Sequence, residues 1–198
     1  MSALRPRKRP TQPRAVETVA CILEAAAQIL EAQGQAAFNT NAVAERAGVS
    51  IGSLYQYFPG KDALLIALMQ REKDRFGADA AAALSEPTGR TALQHLIQAA
   101  VRQQLSRAEL ARLLDIAEER PEARKAVDGK SGFGALIHQI LARPDLPAQP
   151  DVARAADDVG QIIRALIDAA GLRGDTDAVA LERRLCAAVF GYLGAAQM

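Results

Sequence analysis

The sequence has little of the chemistry on which metal sites and most active sites depend. Its 198 residues include no tryptophan, two cysteines and two histidines, and 4% of them are aromatic. Neither His95 nor His138 has a cysteine or carboxylate at metal-ligand spacing, so no zinc site is expected and no cofactor is predicted. No serine or cysteine stands in a recognisable nucleophile elbow, and no glycine-rich dinucleotide loop follows a strand. Catalysis therefore has no positive evidence in the sequence.

Long apolar runs are also missing. No stretch approaches the roughly 18 to 20 consecutive apolar residues of a membrane span. The basic N-terminus has no apolar run behind it, which excludes a secretory signal. Cys21 and Cys186 lie far apart, each within an apolar helical pattern, so buried thiols are expected rather than a disulfide. These features predict a soluble cytoplasmic protein with no membrane partner.

Charge is balanced over the whole chain but not along it. The 24 basic and 23 acidic residues give a net charge of +1, yet five basic residues precede Glu17, the first acidic residue. Residues 1–13 also contain three prolines, a composition that cannot bury surface, so they are predicted to form a disordered basic arm. Such an arm would either contact DNA phosphates or a minor groove, or be a solvated tail.

The segment around which the chain is organised is residues 39–61, which read NTNAVAERAGVSIGSLYQYFPGK. The pattern predicts two short helices, 41–47 and 51–57, with a sharp turn between them. Gly48 suits that turn, because glycine adopts positive φ without steric cost. The segment is therefore predicted to be a helix-turn-helix.

Capping and packing signals in the same segment agree with that prediction. Asn39 or Thr40 can cap the first helix, and Ser50 can cap the second. Five apolar side chains fall where two steeply crossing helices must touch: Val43, Ala47, Val49, Leu54 and Tyr57. On spacing alone, two amphipathic helices in an all-α core fit equally well.

Residue for residue, the segment resembles the helix-turn-helix of the TetR family of one-component transcriptional regulators. The second helix of that family typically reads G-V-S-x-G-x-L-Y-x-Y-F, followed by K-x-x-L-L, and these patterns match residues 48–58 and 61–65. The match is ungapped over about the first third of the chain, and beyond it only length and helical layout agree. The resemblance implies an all-α fold with a three-helix DNA-binding head, a larger helical C-terminal domain, about nine helices and a homodimer formed through a four-helix bundle.

The resemblance also implies which residues contact a double-stranded DNA operator. Residues expected at backbone phosphates are Thr40, Ser50, Tyr55, Tyr57 and Lys61. Residues expected near base edges or thymine methyl groups are Asn41, Ile51, Gly52, Ser53 and Gln56. Chemistry supports the division, since an ammonium group suits phosphate, whereas asparagine and glutamine amides can pair with adenine in bidentate fashion. A two-fold dimer predicts a palindromic operator.

Apolar residues at helical spacing fill the rest of the chain. The first helix is predicted over residues 14–33 and ends at Gly34. A fourth helix is predicted to begin at Lys61, and the resemblance implies that it couples the head to the body. The domain boundaries are predicted as residues 14–62 for the DNA-binding head and 63–198 for a ligand-binding and dimerisation domain.

Glycine and proline residues later in the sequence divide the body into further predicted helices. A break is expected near residues 128–134, and the prolines of residues 143–150 require a loop. Asp151 can cap a helix that is predicted to stop at Gly171, and a last helix follows. These two helices form an antiparallel hairpin.

The body carries two sets of predicted contacts. A small-molecule effector is implied by the resemblance, and the pocket residues predicted for it are His95, Leu96, Leu113, Leu114, Ile137 and His138. The leucines and isoleucine would serve equally as core, and the histidines as helix surface. The hairpin has more apolar surface than one helix can cover, which favours dimerisation over a hairpin that caps its own core, and its predicted contacts are Val159, Ile163, Leu166, Leu185, Val189 and Tyr192.

The sequence thus predicts a TetR-type regulator, a repressor that a small molecule releases from its operator. The first alternative is a helical protein-interaction or ligand-sequestering module without DNA binding, and an enzyme comes third.

Overall fold

The computed structural model describes residues 12–127 and 132–195. Residues 1–11 of the predicted basic arm and residues 128–131 of the predicted break lie outside these ranges. Within them the chain forms helices and no strand, which confirms the all-α prediction. About nine helices were expected, and the described part of the chain has ten α-helices and a 3-10 helix: α1 Pro13–Ala37, α2 Thr40–Arg46, α3 Ile51–Tyr57, α4 Lys61–Ala81, the 3-10 helix Ala82–Ser85, α5 Gly89–Ser106, α6 Ala108–Glu118, α7 Pro121–Val127, α8 Gly132–Leu141, α9 Val152–Arg173 and α10 Ala178–Ala195.

The chain divides into two compact units. In the described residues, the first unit comprises 12–73 and 113–127, and the second comprises 74–112 and 132–195. The long helix α4 contributes residues to both units, as does α6. The predicted boundary between residues 62 and 63 remains a prediction.

The first unit is built on the apolar stripe of α1. Ile22, Leu23 and Leu30 are buried on this helix, and α1 packs against α2, which packs against α3. Leu54 from α3 and Phe58 just after it are fully buried. Because a fully buried leucine or phenylalanine contributes about 1.5–3 kcal/mol, these two side chains anchor α3 to the unit.

The core of the second unit lies among α5, α8, α9 and α10. Its fully buried aliphatic side chains follow the helical spacing seen in the sequence and include Leu93, Leu96, Ile97, Ile137, Ile140, Val159, Ile163, Leu185 and Val189. The start of α5 is fixed from a distant loop, since Asp145 accepts hydrogen bonds from the backbone N–H groups of Gly89 at 2.9 Å and Arg90 at 3.2 Å. Bonding from Gly89 to the charged carboxylate holds the pKa of Asp145 below its ordinary value.

Two helix ends were predicted at glycines, with different outcomes. Gly34 interrupts α1 as predicted, with φ of 70° and ψ of −173°. The prediction for α9 was wrong, because that helix continues through Gly171 to Arg173 and ends at Gly174. Gly174 has φ of 69° and its backbone N–H donates to the carbonyls of Ala170 and Gly171. The left-handed backbone that closes a helix C-terminus is thus adopted at position 174.

The cysteine prediction was partly wrong. Cys21 and Cys186 are both free thiols, but Cys21 is exposed on α1 and Cys186 is half-buried. Burial and the nearby Glu182 carboxylate raise the pKa of Cys186. No helix in the described ranges is long and apolar enough to cross a membrane.

Two glycines of the second unit should respond to alanine in opposite directions. Gly174→Ala is expected to destabilise the protein by about 1 kcal/mol, because alanine is strained at the positive φ of this position. A Cβ there would meet no atom within 4 Å, so no steric clash adds to that strain. Gly77→Ala should stabilise it by up to about 1 kcal/mol, because Gly77 is exposed inside α4, again with open space around a Cβ. Denaturant unfolding followed by circular dichroism measures both, and shifts of the same sign would contradict these backbone assignments.

Candidate nucleic-acid interface

The turn between α2 and α3 has the predicted geometry. Gly48 has φ of 67°, and its N–H donates to the Glu45 carbonyl at 3.1 Å. The next N–H, that of Val49, donates to the Ala44 carbonyl at 3.0 Å. Val43 and Ala44 are buried on α2, so the small side chain at position 44 lies in the interior of the unit. The chain therefore reverses between two short helices.

Side-chain caps fix the start of each helix. Asn39 caps α2, and its Oδ1 accepts from the N–H of Ala42 at 2.9 Å. Of the two predicted caps, Thr40 is instead the first helical residue. Ser50 caps α3 as predicted, and its Oγ accepts from the N–H of Ser53 at 3.0 Å. Each cap satisfies a backbone donor that the helix itself leaves unpaired.

Helix α3 has an anchored face and an outward face. Leu54 holds it to the core from one side, while Ile51 is 38% exposed and Tyr55 39% exposed. Gly52 and Gln56 are also exposed. Folding gains little from leaving Ile51 and Tyr55 exposed, so the outward face is available for a partner.

A hydroxyl pair joins the two helices at this surface. The side-chain oxygens of Thr40, at the start of α2, and Tyr55, on α3, lie 3.2 Å apart, at hydrogen-bond distance. Ser53 and Tyr57 are half-buried, whereas Asn41 is exposed. In the Thr40–Tyr55 pair one hydroxyl group donates its proton to the other, so the second hydroxyl keeps its own proton for an acceptor oxygen of a partner.

Lys61 supplies a positive charge at the first residue of α4. Its side chain is exposed, and its Nζ donates to the backbone carbonyl of Gln35 at 3.2 Å. The same Nζ lies 5.6 Å from the centroid of the Phe38 ring, a distance at which a cation and an aromatic face attract. These contacts leave ammonium protons free and hold Lys61 beside the end of α1.

All ten predicted DNA-contact residues lie in the first unit, on α2, on α3 with its cap, and at the start of α4. Most of them are exposed: Asn41, Ser50, Ile51, Gly52, Tyr55, Gln56 and Lys61. Thr40, Ser53 and Tyr57 are half-buried. Their individual contacts with DNA remain predictions.

The six predicted pocket residues do not share one unit. Leu113 and Leu114 belong to the first unit, and the other four belong to the second. Leu96 and Ile137 are fully buried, whereas His138 is exposed. His95 is half-buried, with Nδ1 3.1 Å from Glu86 Oε1 and Nε2 3.7 Å from Asp79 Oδ1. No group of three or more histidine, cysteine, aspartate or glutamate side chains in the described residues could hold a metal.

The six predicted dimer residues divide by burial. Val159, Ile163, Leu185 and Val189 are at most 2% exposed, since they pack in the core of their own chain. These four side chains therefore leave almost no surface for a second copy. Their helical spacing in the sequence predicts a buried face, but it does not tell whether the same chain or a second copy covers that face. Leu166 and Tyr192 are partly exposed. The Tyr192 hydroxyl donates to Asp158 at 2.6 Å, and this bond raises the pKa of Tyr192.

Gln104 is the polar side chain that the predicted sites omit. It is 4% exposed, and with Glu72 it makes up the buried polar side chains of the described residues. A signal exists in the sequence, since position 104 follows Ala100 by four residues and Val101 by three and so continues their apolar stripe. A polar residue on such a stripe calls for a hydrogen-bonding partner.

Sequence comparisons agree with this geometry. Residues 22–68 match the family described as bacterial regulatory proteins, tetR family. The chain is 30% identical over 152 residues to the HTH-type transcriptional repressor KstR of Rhodococcus jostii, a match that covers 70% of this chain and 66% of that protein. KstR of Mycolicibacterium smegmatis is 46% identical over 57 residues, which cover 29% of this chain and 28% of that protein.

Solved structures share the fold over nearly the whole chain. The fatty acid degradation regulator FadR from Bacillus halodurans has a TM-score of 0.73 at 21% identity, covering 93% of this chain and 98% of that one. FadR from Bacillus subtilis, solved in complex with stearoyl-CoA, has a TM-score of 0.70 at 20% identity, covering 86% of this chain and 97% of that one. With the capped helix-turn-helix and the sequence matches, this chain belongs to the TetR family of transcriptional regulators.

The cap of α3 can be tested with two serines that contact each other. Ser50→Ala removes the acceptor for the Ser53 N–H and should destabilise the protein by about 1 kcal/mol. Ser53→Ala keeps that cap and raises helix propensity, so it should be neutral or stabilising. Thermal unfolding of the two variants measures the difference, and equal losses would show that the Ser50 side chain does not cap α3.

Proposed function

We propose that this protein is a dimeric transcriptional repressor that binds a palindromic operator and leaves it when a small-molecule effector binds. The observation that carries this function is the outward face of α3, which is exposed while Leu54 and the Ser50 cap fix the helix from behind. A helix held in this way can enter the major groove, which is wide enough to admit it.

The outward side chains suit base edges of different kinds. Ile51 offers apolar contact to a thymine methyl group, and Gln56 offers an amide that can pair with adenine. Gly52 has no side chain, and a Cβ there would meet only the Ser50 hydroxyl within 4 Å. The backbone of α3 can therefore approach the groove closely at this position. Asn41, exposed on α2, provides a second amide.

Phosphate contacts would fix the register of the helix. Whichever hydroxyl of the Thr40–Tyr55 pair accepts from the other can donate its own proton to one phosphate, and Lys61 can neutralise another. Ser50 and Tyr57 are placed on the same α3 segment. Such contacts position a protein on DNA without reading sequence, and each neutralised phosphate adds to the salt dependence of binding.

Two heads reading a palindrome require a two-fold dimer, and α9 and α10 offer a face for it. Opposite their buried stripes, these helices expose small and apolar side chains: Ala165, Leu172, Ala187, Gly191 and Gly194. A Cβ at Gly191 or Gly194 would meet no atom within 4 Å. Small residues let helices approach closely, so two such hairpins can pack as a four-helix bundle, with Leu166 and Tyr192 at its margin.

Repression and effector control are supported by the relatives. KstR of Rhodococcus jostii is named as a repressor, and a solved structure with this fold holds stearoyl-CoA. An effector would release the operator by binding the DNA-free conformation more tightly than the DNA-bound one. The coupling free energy between two such sites is typically about 1–3 kcal/mol.

DNA binding is tested with two exposed lysines of the first unit. Lys61→Ala should weaken binding to the DNA upstream of the gene that encodes the protein, and should lower the slope of log affinity against log salt by about one, because one phosphate contact is lost. Lys125→Ala, in α7, removes the same charge outside the helix-turn-helix and should leave the slope unchanged. Fluorescence anisotropy over a salt series measures both.

Two outcomes would contradict DNA binding through this surface. The first is a parental protein, shown to be folded, that binds no DNA more tightly than random fragments. The second is a salt slope for Lys61→Ala equal to the parental slope, which would show that Lys61 does not contact a phosphate. The first result would favour a helical interaction module without DNA binding.

The dimer face is tested with two exposed helical glycines. Gly191→Arg should convert the dimer to a monomer, because a long charged side chain on the small-residue face blocks close helix packing. Gly77→Arg on α4 is the matched control, since a Cβ there also meets open space, and it should leave the dimer intact. Sedimentation equilibrium gives the masses, and a dimeric Gly191→Arg protein would rule out this face.

A further inference from the structure

Gln104 occupies a position in α5 where the helix is otherwise apolar. Ile97, Ala100 and Val101 precede it by seven, four and three residues, and all three are buried. Residues at these spacings lie on one face of a helix. Gln104 is itself 4% exposed, so its amide is directed into the core of the second unit rather than into solvent.

The amide nitrogen of Gln104 has no protein partner. No atom of the described residues accepts a hydrogen bond from Nε2. A buried donor without a partner lowers stability, and in folded proteins such groups are few and need a specific reason. One reason is that the partner is a ligand.

Gly171 on α9 lies against the same amide. A Cβ at position 171 would stand 2.3 Å from Nε2 and 3.3 Å from Cδ of Gln104, so any larger residue would displace the amide. Gly171 sits inside α9, where glycine weakens a helix relative to alanine. Its presence there is explained by the room it leaves for Gln104, and the two residues form a matched pair between α5 and α9.

The surroundings define the chemistry of a partner. Ile167 and Ala170, the buried residues that precede Gly171 on α9, are apolar, and Gln104 is the buried polar side chain of the second unit within the described ranges. A free carboxylate would need a cation, and no basic side chain of the second unit is buried within those ranges. A neutral carbonyl oxygen on a mostly apolar ligand can accept the hydrogen bond from Nε2 of Gln104 without burying a negative charge.

We propose that Gln104 donates a hydrogen bond from Nε2 to a neutral carbonyl oxygen of a mostly apolar ligand, such as a ketone, ester or thioester, bound between α5 and α9. This site deepens the effector control in the proposed function and rests on it for its biological meaning. It is separate from His95, which lies nine residues earlier on α5, about two and a half turns away, and therefore on the opposite face.

The test replaces Gln104 with methionine, which has similar length but no donor. Gln104→Met should raise the Tm of the ligand-free protein, because an unpaired buried donor is removed. The parent should bind medium-chain methyl ketones about tenfold more tightly than the matching alkenes, the value of one hydrogen bond, and Gln104→Met should lose that preference. Gln103→Met, the same change at the half-buried neighbour, should keep it. Isothermal titration calorimetry measures binding without DNA.

Three results would overturn the proposed site. These are a lower Tm for Gln104→Met than for the parent, the absence of a ketone preference in the parent, and a ketone preference that persists in Gln104→Met. Gly171→Ala gives a second check, since its Cβ should displace the amide and abolish the preference in a protein that still folds.

Failure of this site can be told apart from failure of the proposed function. The same ketones are added to the complex of parent and DNA. Ketones that bind through Gln104 without releasing DNA would refute effector control and leave the site standing. A parent that binds DNA but shows no ketone preference would refute the site and leave DNA binding standing.

Discussion

The fixed attachment of α3 is the constraint on which the rest of the first unit depends. A helix of seven residues is too short to be stable alone in water, so α3 exists because Leu54 and Phe58 bury behind it and Ser50 caps its start. That division of labour frees the opposite face from any packing role. Ile51, Gly52, Tyr55 and Gln56 can then be chosen by a partner rather than by the fold.

Ion pairs join α4 to α1 and to α6 within the first unit. Arg71 on α4 bonds Glu24 on α1 at 3.1 Å, and also lies 2.6 Å from Glu72. Two residues on, Lys73 bonds Glu118 on α6 at 2.8 Å. Partly buried pairs are screened less by salt than surface pairs, so α1, α4 and the end of α6 are held together. The helix predicted to couple the two functions is thus paired with α1 through Arg71 and with α6 through Lys73.

Local signals in the sequence were sufficient for the helix-turn-helix. Asn39, Gly48 and Ser50 act through backbone groups within a few residues of themselves, and the structure places each of the three in its predicted role. The end of α9 could not be predicted in that way, because the glycine at position 171 makes room for the Gln104 side chain on another helix. The left-handed backbone that ends α9 is at Gly174 instead. Val159 and Ile163 show the same limit, since their spacing reveals burial but not whether the covering surface is the same chain or a second copy.

The spacing of apolar residues also cannot predict which ligand a buried side chain binds. The apolar stripe of α5 predicts a buried face that includes position 104, yet only the packed structure shows that Nε2 of Gln104 faces Gly171 with no protein acceptor. A buried amide and an exposed Tyr55 are both departures from what folding alone favours. We assign the buried amide of Gln104 to a small-molecule ligand and the exposed Tyr55 to DNA.

We assign the reading of DNA sequence to the outward face of α3, and selection from a random-sequence DNA library tests this assignment most directly. The parental protein should enrich a palindrome whose half-sites are separated by about one helical turn, roughly 34 to 36 Å, or a multiple. Gln56→Ala should enrich the same palindrome with relaxed preference at one base pair of each half-site. No enrichment by a folded parent, or an unchanged preference at every position in the Gln56→Ala selection, would contradict the account.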